Sequence, residues 1–331
     1  MPGVYMDRYT KQLENTMTAV HIEQGAVSIR DRGNKVKRPR GHALLRLITG
    51  GICNTDLELQ RGYYGFAGTP GHEFVAEVLE ADAAAWVGKR VVGEINLACG
   101  KCDWCQRGLG RHCPRRTVLG IIKHPGAFQT FFTLPESNLF EVPRGVSNDH
   151  AVFTEPIAAA CEILDQVSIA KGQPVAVLGD GKLGLLIAQV LAAHGAEVYQ
   201  FGRHASKLAI AKKVGVKTST GAPKRKFDVV VEATGSSAGL ASAVAMTNAR
   251  GTVVMKSTVH DRAALDFSHL IVQEITLVGS RCGRFAPALK LLKTGKLNLD
   301  AMIDSRFPLA EAPRAFERAN EKGVLKVLLD G

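Results

Sequence analysis

The sequence predicts an α/β protein of two domains: a doubly wound parallel sheet inserted into a mostly β domain that carries a four-cysteine lobe. Three observations predict it. Residues 17 to about 150 hold short β-forming runs broken by glycine and proline. From about 151 to 285, strand-like runs alternate with helical patterns, which signals βαβ units and a parallel sheet. Inside that block, Gly179-Asp-Gly181-Lys-Leu-Gly184 joins the apolar run Val175–Leu178 to the helical run Leu185–Ala193, the setting of a phosphate-binding loop. A chain of 331 residues is long enough for two domains.

Residues 1–16 read as a polar extension, expected to be poorly ordered, before a first strand near Met17. Leu44–Ile48, Phe74–Val78, Arg90–Val92 and Phe128–Phe132 read as strands of the first domain. Val175–Leu178, Glu197–Phe201, Asp228–Val231, Thr252–Met255 and Thr276–Val278 read as strands of the parallel sheet. Ala286–Lys293 reads as a helix and Leu325–Leu329 as a closing strand. The expected division is 17–150 with 286–331 for the mostly β domain, and 151–285 for the parallel sheet.

Composition narrows the function. A hydrophobic content of 46% with 22% charged residues is that of a soluble globular protein. No apolar run approaches the ~20 residues of a membrane span, and the N-terminus is too polar for a secretory signal. A cytoplasmic location and no membrane partner are expected. The net charge of +11 permits an anionic partner. The basic clusters Lys35–Arg40, Arg115-Arg116 and Lys224–Lys226 lack interleaved aromatics, and aromatics are 6% of the chain. That pattern argues against nucleic acid and for solvated surface plus a small anionic ligand.

Cys99, Cys102, Cys105 and Cys113 follow the spacing C-x2-C-x2-C-x7-C. Thiolates this close can converge on one tetrahedral zinc in a closed structural site. Disulfides are disfavoured in a chain without a signal peptide and long enough to build a core.

The glycine loop predicts a Rossmann-type dinucleotide site. Gly179 permits a tight turn, Gly181 lets backbone approach a pyrophosphate, and Gly184 lets helix pack on strand. Lys182 and Leu183 open the helix whose N–H groups face the phosphates. An NAD site would place an acid about 20 residues further on. Gly202 stands there, followed by Arg203 and then Lys207. Glycine leaves room for a 2′-phosphate and Arg203 offers paired donors, so NADP is expected rather than NAD. Stacking of Arg203 on adenine would suit either cofactor.

Further motifs stand in order along residues 17–331: Gly51-Ile-Cys53-Asn-Thr55-Asp56, Gly71-His72-Glu73, the cysteine lobe, Glu155-Pro156, the glycine loop and Leu325-Lys326-Val-Leu-Leu329. In these the chain resembles the zinc-dependent medium-chain alcohol dehydrogenases, nearest in motif to the threonine and polyol dehydrogenase branches. The resemblance implies a GroES-like fold for the first domain. It also implies a second, catalytic zinc on Cys53, His72 and either Glu73 or Glu155, with one position open. The sorbitol- and threonine-type branches use the Glu of the Glu-Pro pair. Asp56 would accept the other ring N–H of His72.

The resemblance also places the Thr55 hydroxyl first in a proton relay. The family's next relay member, a His, is replaced here by Glu58, which could carry the proton, bond the ribose or stand by. Thr234 and Gly235 fall where the family approaches the nicotinamide ribose. Lys326 falls where it keeps a basic residue near the cofactor phosphates. The implied protein is a homodimer or homotetramer with two zinc ions per chain. It would pass hydride between an alcohol, polyols included, and NADP, or reduce the carbonyl. Two other readings remain: a non-catalytic zinc- and nucleotide-binding protein, and a zinc-free quinone or enone reductase.

Overall fold

The computed structural model describes residues 17–31, 33, 36–223, 225–257 and 265–331. The expectation for residues 1–16 lies outside them, as do Lys35 and Lys224 of the basic clusters. The described chain forms two compact units. One runs to Phe153 and resumes with Ile303–Gly331; the other is Thr154–Met302.

The first unit is built around the long strand His42–Ile52, whose residues Ala43, Leu45 and Leu47 alternate into the core. Its sheet runs in the order Leu139–Glu141, Arg90–Gly93, Phe74–Glu80, His42–Ile52, Lys326–Asp330, Ile303–Pro308, with Phe131–Pro135 also on His42–Ile52. Two antiparallel pairings meet at one end of this strand. Gly50 lies opposite Phe74, and Gly51 N–H bonds the Glu73 carbonyl at 2.9 Å. On the other side Val327 lies opposite Ile52. Residues at these strand ends, Cys53 and Glu73 just beyond their strands and Lys326 at the start of its own, therefore come together although far apart in sequence.

The strand expected at Phe128–Phe132 starts three residues later, at Phe131. Phe128 N–H bonds the Pro70 carbonyl and Gln129 N–H bonds that of Ala127, so the earlier residues form a turn against the segment before His72. Asn96–Leu97, Thr117–Leu119 and Lys123–His124 make a small sheet flanking the cysteine lobe.

The second unit holds a six-stranded parallel sheet in the order Lys217–Ser219, Glu197–Phe201, Pro174–Leu178, Phe227–Glu232, Thr247–Met255, Thr276–Gly279. Chain order reverses between Pro174–Leu178 and Phe227–Glu232, and ligands of doubly wound sheets bind beyond the strand ends at such a point. Val175, Ala176 and Val177 are fully enclosed, as parallel strands covered on both faces require.

The return to the first unit falls at Ile303, not at 286, and the first crossing at Thr154 rather than 151. Helix Phe285–Leu292 stays with the second unit because its apolar stripe, Phe285, Ala288, Leu289 and Leu292, is buried there, packed on helix Thr154–Gln166. Among the described residues no helix is long and apolar enough to cross a membrane.

Candidate metal centres and nucleotide-binding loop

The four lobe cysteines converge. Cys102 Sγ lies 3.4 Å from Cys105 Sγ and 3.7 Å from Cys113 Sγ, and Cys99 Sγ lies 3.9 Å from Cys105 Sγ. These separations are far longer than a disulfide's ~2.05 Å, and all four thiols are free. Hydrogen bonding from the Lys101 backbone leads in pulling the Cys99 thiol down to about 6. Desolvation and neighbouring sulfurs push that of Cys105 up to about 11. Four sulfur donors gathered in one small volume suit zinc.

A second cluster gathers at the strand ends described above. Cys53, His72 and Glu73 place one donor atom each within 4.8 Å of one another. Cys53 caps the helix Asn54–Gln60. Asp56, fully buried, ties both ligand segments together: its carboxylate accepts from Cys53 N–H at 2.8 Å and from Gly71 N–H at 3.1 Å. The same carboxylate faces the imidazole: Nδ1 of His72 lies 3.4 Å from Asp56 Oδ1, a longer approach than those of the two backbone donors. Burial opposes protonation of His72, yet Asp56 and Cys53 more than offset it and hold its pKa well above the usual value. A buried imidazole grouped with a sulfur and a carboxylate is a donor set that a divalent cation suits.

Lys326 requires a correction. Its side chain is 2% exposed and its ammonium is paired with Glu73, itself 1% exposed, inside the first unit. An enclosed, paired cation is not presented to a cofactor phosphate. Thr55 stands where a relay hydroxyl would be needed, its Oγ1 3.8 Å from Cys53 Sγ. Glu58 does not join the cluster and is paired with Arg61 at 2.6 Å. Glu155 belongs to the other unit, in the first turn of Thr154–Gln166.

In the second unit the glycine loop lies at the point of chain reversal. Gly179 has φ 115°, and a Cβ there would lie 2.4 Å from the Ala233 carbonyl oxygen. A Cβ on Gly184 would lie 2.4 Å from the Gly179 carbonyl oxygen, whereas one on Gly181 would meet nothing within 4 Å. Two glycines thus permit close packing, and the third fronts open space for a ligand. Lys182 and Leu183 begin the helix Lys182–His194. Thr234 is fixed by two 2.6 Å bonds, from its N–H and hydroxyl, to the buried Glu232, and Gly235 N–H bonds Ser257 Oγ at 2.8 Å.

Gly202 follows the neighbouring strand, Glu197–Phe201. The side chains of Arg203, which is exposed, and Lys207, on helix Ala205–Lys212, have no polar partner among the described residues. Sequence reasoning missed Asp180, whose carboxylate crosses from the glycine loop to bond both Arg203 and His204. An acid between the two glycines was its only signal.

Residues 39–144 match the alcohol dehydrogenase GroES-like domain and residues 183–294 the zinc-binding dehydrogenase domain. A 2-dehydro-3-deoxy-L-galactonate 5-dehydrogenase of Pseudoalteromonas atlantica is 30% identical over 308 residues, 83% of this chain and 89% of that protein. The chain belongs to the zinc-containing medium-chain dehydrogenase/reductase family. A sorbitol dehydrogenase of Halalkalibacterium halodurans is 29% identical over 304 residues, 84% of this chain and 88% of the relative. Among solved structures, a zinc-binding dehydrogenase of Sinorhizobium meliloti bound to NADP matches with TM-score 0.87 at 30% identity, covering 96% of this chain and 100% of that one. Membership makes this family protein an oxidoreductase.

Proposed function

We propose that this chain is a zinc-dependent, NADP-preferring alcohol dehydrogenase. Its substrate is a primary or secondary alcohol, polyols included, or the corresponding carbonyl. The observation that carries the reading is the buried Cys53–His72–Glu73 cluster with the Thr55 hydroxyl beside it. A binding-only protein has no use for such a group, and a zinc-free reductase has no use for its sulfur and imidazole.

Cys53, His72 and a carboxylate, Glu73 or Glu155, would hold the catalytic ion, and the four lobe cysteines a second, structural one. A zinc bound by the first set is a Lewis acid toward a substrate oxygen and lowers the pKa of a hydroxyl. Thr55 takes the proton leaving the alcohol. Glu58 passes it on only by leaving Arg61. Asp56 fixes the Cys53 and His72 segments relative to each other. The backbone at Gly181 to Leu183 receives the pyrophosphate, and Thr234-Gly235 lies toward the nicotinamide ribose.

Arg203 binds the 2′-phosphate. Gly202 in place of an acid and the NADP-bound relative support the cofactor choice. A homo-oligomer is supported by Phe267, Ile271 and Val272, which are 67%, 74% and 75% exposed on one helix, and by the edge position of Thr276–Gly279. A cytoplasmic location fits reduced thiols.

The test is a panel of secondary alcohols, polyols, aldehydes and amino alcohols, offered with NADP and NAD and read by reduced-nicotinamide absorbance. Turnover that prefers NADP and vanishes in Cys53→Ser is expected. Absence of turnover across the panel in zinc-loaded protein, or full activity in Cys53→Ser, contradicts the reading.

A further inference from the structure

We infer that Asp180 is the positioning residue for the adenosine 2′-phosphate of NADP: from within the glycine loop it holds the backbone of Arg203 and His204 so that the Arg203 guanidinium is presented. The inference rests on the NADP reading above and adds a residue to it.

Asp180 sits between Gly179 and Gly181, where a side chain could point to solvent. It does not. Its Oδ2 accepts from Arg203 N–H at 2.7 Å, from His204 N–H at 2.6 Å and from His204 Nδ1 at 3.0 Å. The residue is 9% exposed, so the contact is an enclosed clamp and not a surface encounter. Burial alone would raise its pKa, yet the His204 backbone, the His204 ring and the Arg203 backbone hold it below the usual carboxylate range. The charge is thus retained and turned inward, onto fixed donors.

The clamp also explains the glycine after Phe201. A Cβ at Gly202 would lie 2.5 Å from Asp180 Cβ and 2.7 Å from its Cγ and Oδ2. No side chain fits at 202 while Asp180 is in place. The acid that an NAD site carries at the end of this strand is excluded sterically by an acid arriving from the loop. Oδ2 is engaged by three protein donors, and the cationic group beside it that is free to meet a phosphate is Arg203, exposed and without a side-chain partner among the described residues. A guanidinium can bind a phosphate through paired donors, and the bonds from Arg203 N–H and His204 N–H to Asp180 fix the backbone from which that guanidinium extends.

The test is titration of NADPH and NADH into wild type, Arg203→Ala, Asp180→Ala, Asp180→Asn and Gly202→Ala, with Kd read by nicotinamide fluorescence and melting temperature read in parallel. Asp180→Ala should weaken NADPH about tenfold or more relative to NADH, the scale of one charge-assisted bond. Asp180→Asn, which keeps one acceptor oxygen, should recover part of that ratio. Gly202→Ala, which pushes the clamp aside without touching its chemistry, should reproduce the loss.

An Asp180→Ala protein that keeps its NADPH:NADH ratio overturns the inference, whether or not its melting temperature falls. So does one in which NADH weakens and NADPH tightens, because Asp180 would then be a ribose acid. If wild type itself shows no preference for NADPH and Arg203→Ala changes nothing, the NADP reading has failed. If Arg203→Ala loses the preference and Asp180→Ala keeps it, only the role of Asp180 has failed.

Discussion

The Lys326 ammonium is wholly enclosed against Glu73 and 3.4 Å from the Ile52 carbonyl oxygen. Burial opposes its charge, but Glu73 and Cys53 outweigh burial and its pKa is raised above the ordinary 10.5. A raised lysine contributes stability that is complete below the unfolded value and lost only as pH climbs through the folded one. The pair therefore holds throughout neutral pH. Lys326→Met strands a buried carboxylate, a change that costs about 3–5 kcal/mol. Urea denaturation with a chelator present should show that loss at pH 7, and added zinc should recover much of it, since Glu73 is then free to bind metal. Unchanged stability would mean that the pair does not hold the strand ends together. Thr55→Ala should retain zinc and slow alcohol oxidation by ~100- to 10,000-fold. Glu58→Gln should leave the pH–rate profile in place, because Arg61 already engages that carboxylate. A shifted profile would put Glu58 in the relay.

At the level of elements, legibility followed sequence distance. The lobe was readable because its four ligands lie within one short segment, and the glycine loop because strand, turn and helix are contiguous. Asp180 reaches Arg203 across 23 positions and Glu73 reaches Lys326 across 253, and neither pairing has a local pattern. The helix at Phe285–Leu292 was visible, but its partner was not, since an apolar stripe does not say which surface buries it. The strand near Phe128 slipped because Pro70 claims the backbone of the earlier residues. The lobe also predicts a pH dependence. With Cys99 at about 6 and Cys105 at about 11, metal must displace protons from thiols at neutral pH. Protons compete harder as pH falls, so zinc affinity should rise with pH above 6. Proton release on zinc uptake, read with an indicator dye in weakly buffered Cys53→Ser protein, measures it. Uptake without proton release would contradict the lobe assignment.

For the whole molecule, the motif order was enough to read two units and their interleaving along the chain, while the second crossing was set by packing. The surface of the second unit carries a further consequence. Exposed Ile271 and Val272 lie on the helix that precedes the edge strand Thr276–Gly279, and exposed apolar patches beside an open sheet edge are association surfaces. Ile271→Glu should lower the mass measured by sedimentation equilibrium toward that of one chain, and an unchanged mass would place the interface elsewhere. The central claim, one open metal site for chemistry and one closed site for structure, is tested most directly by zinc content per chain in wild type, Cys53→Ser and Cys102→Ser. The account predicts about two ions in the wild type and about one in each variant, with nicotinamide turnover absent from Cys53→Ser. A wild type that binds a single ion, or a Cys53→Ser protein that keeps both, would contradict it.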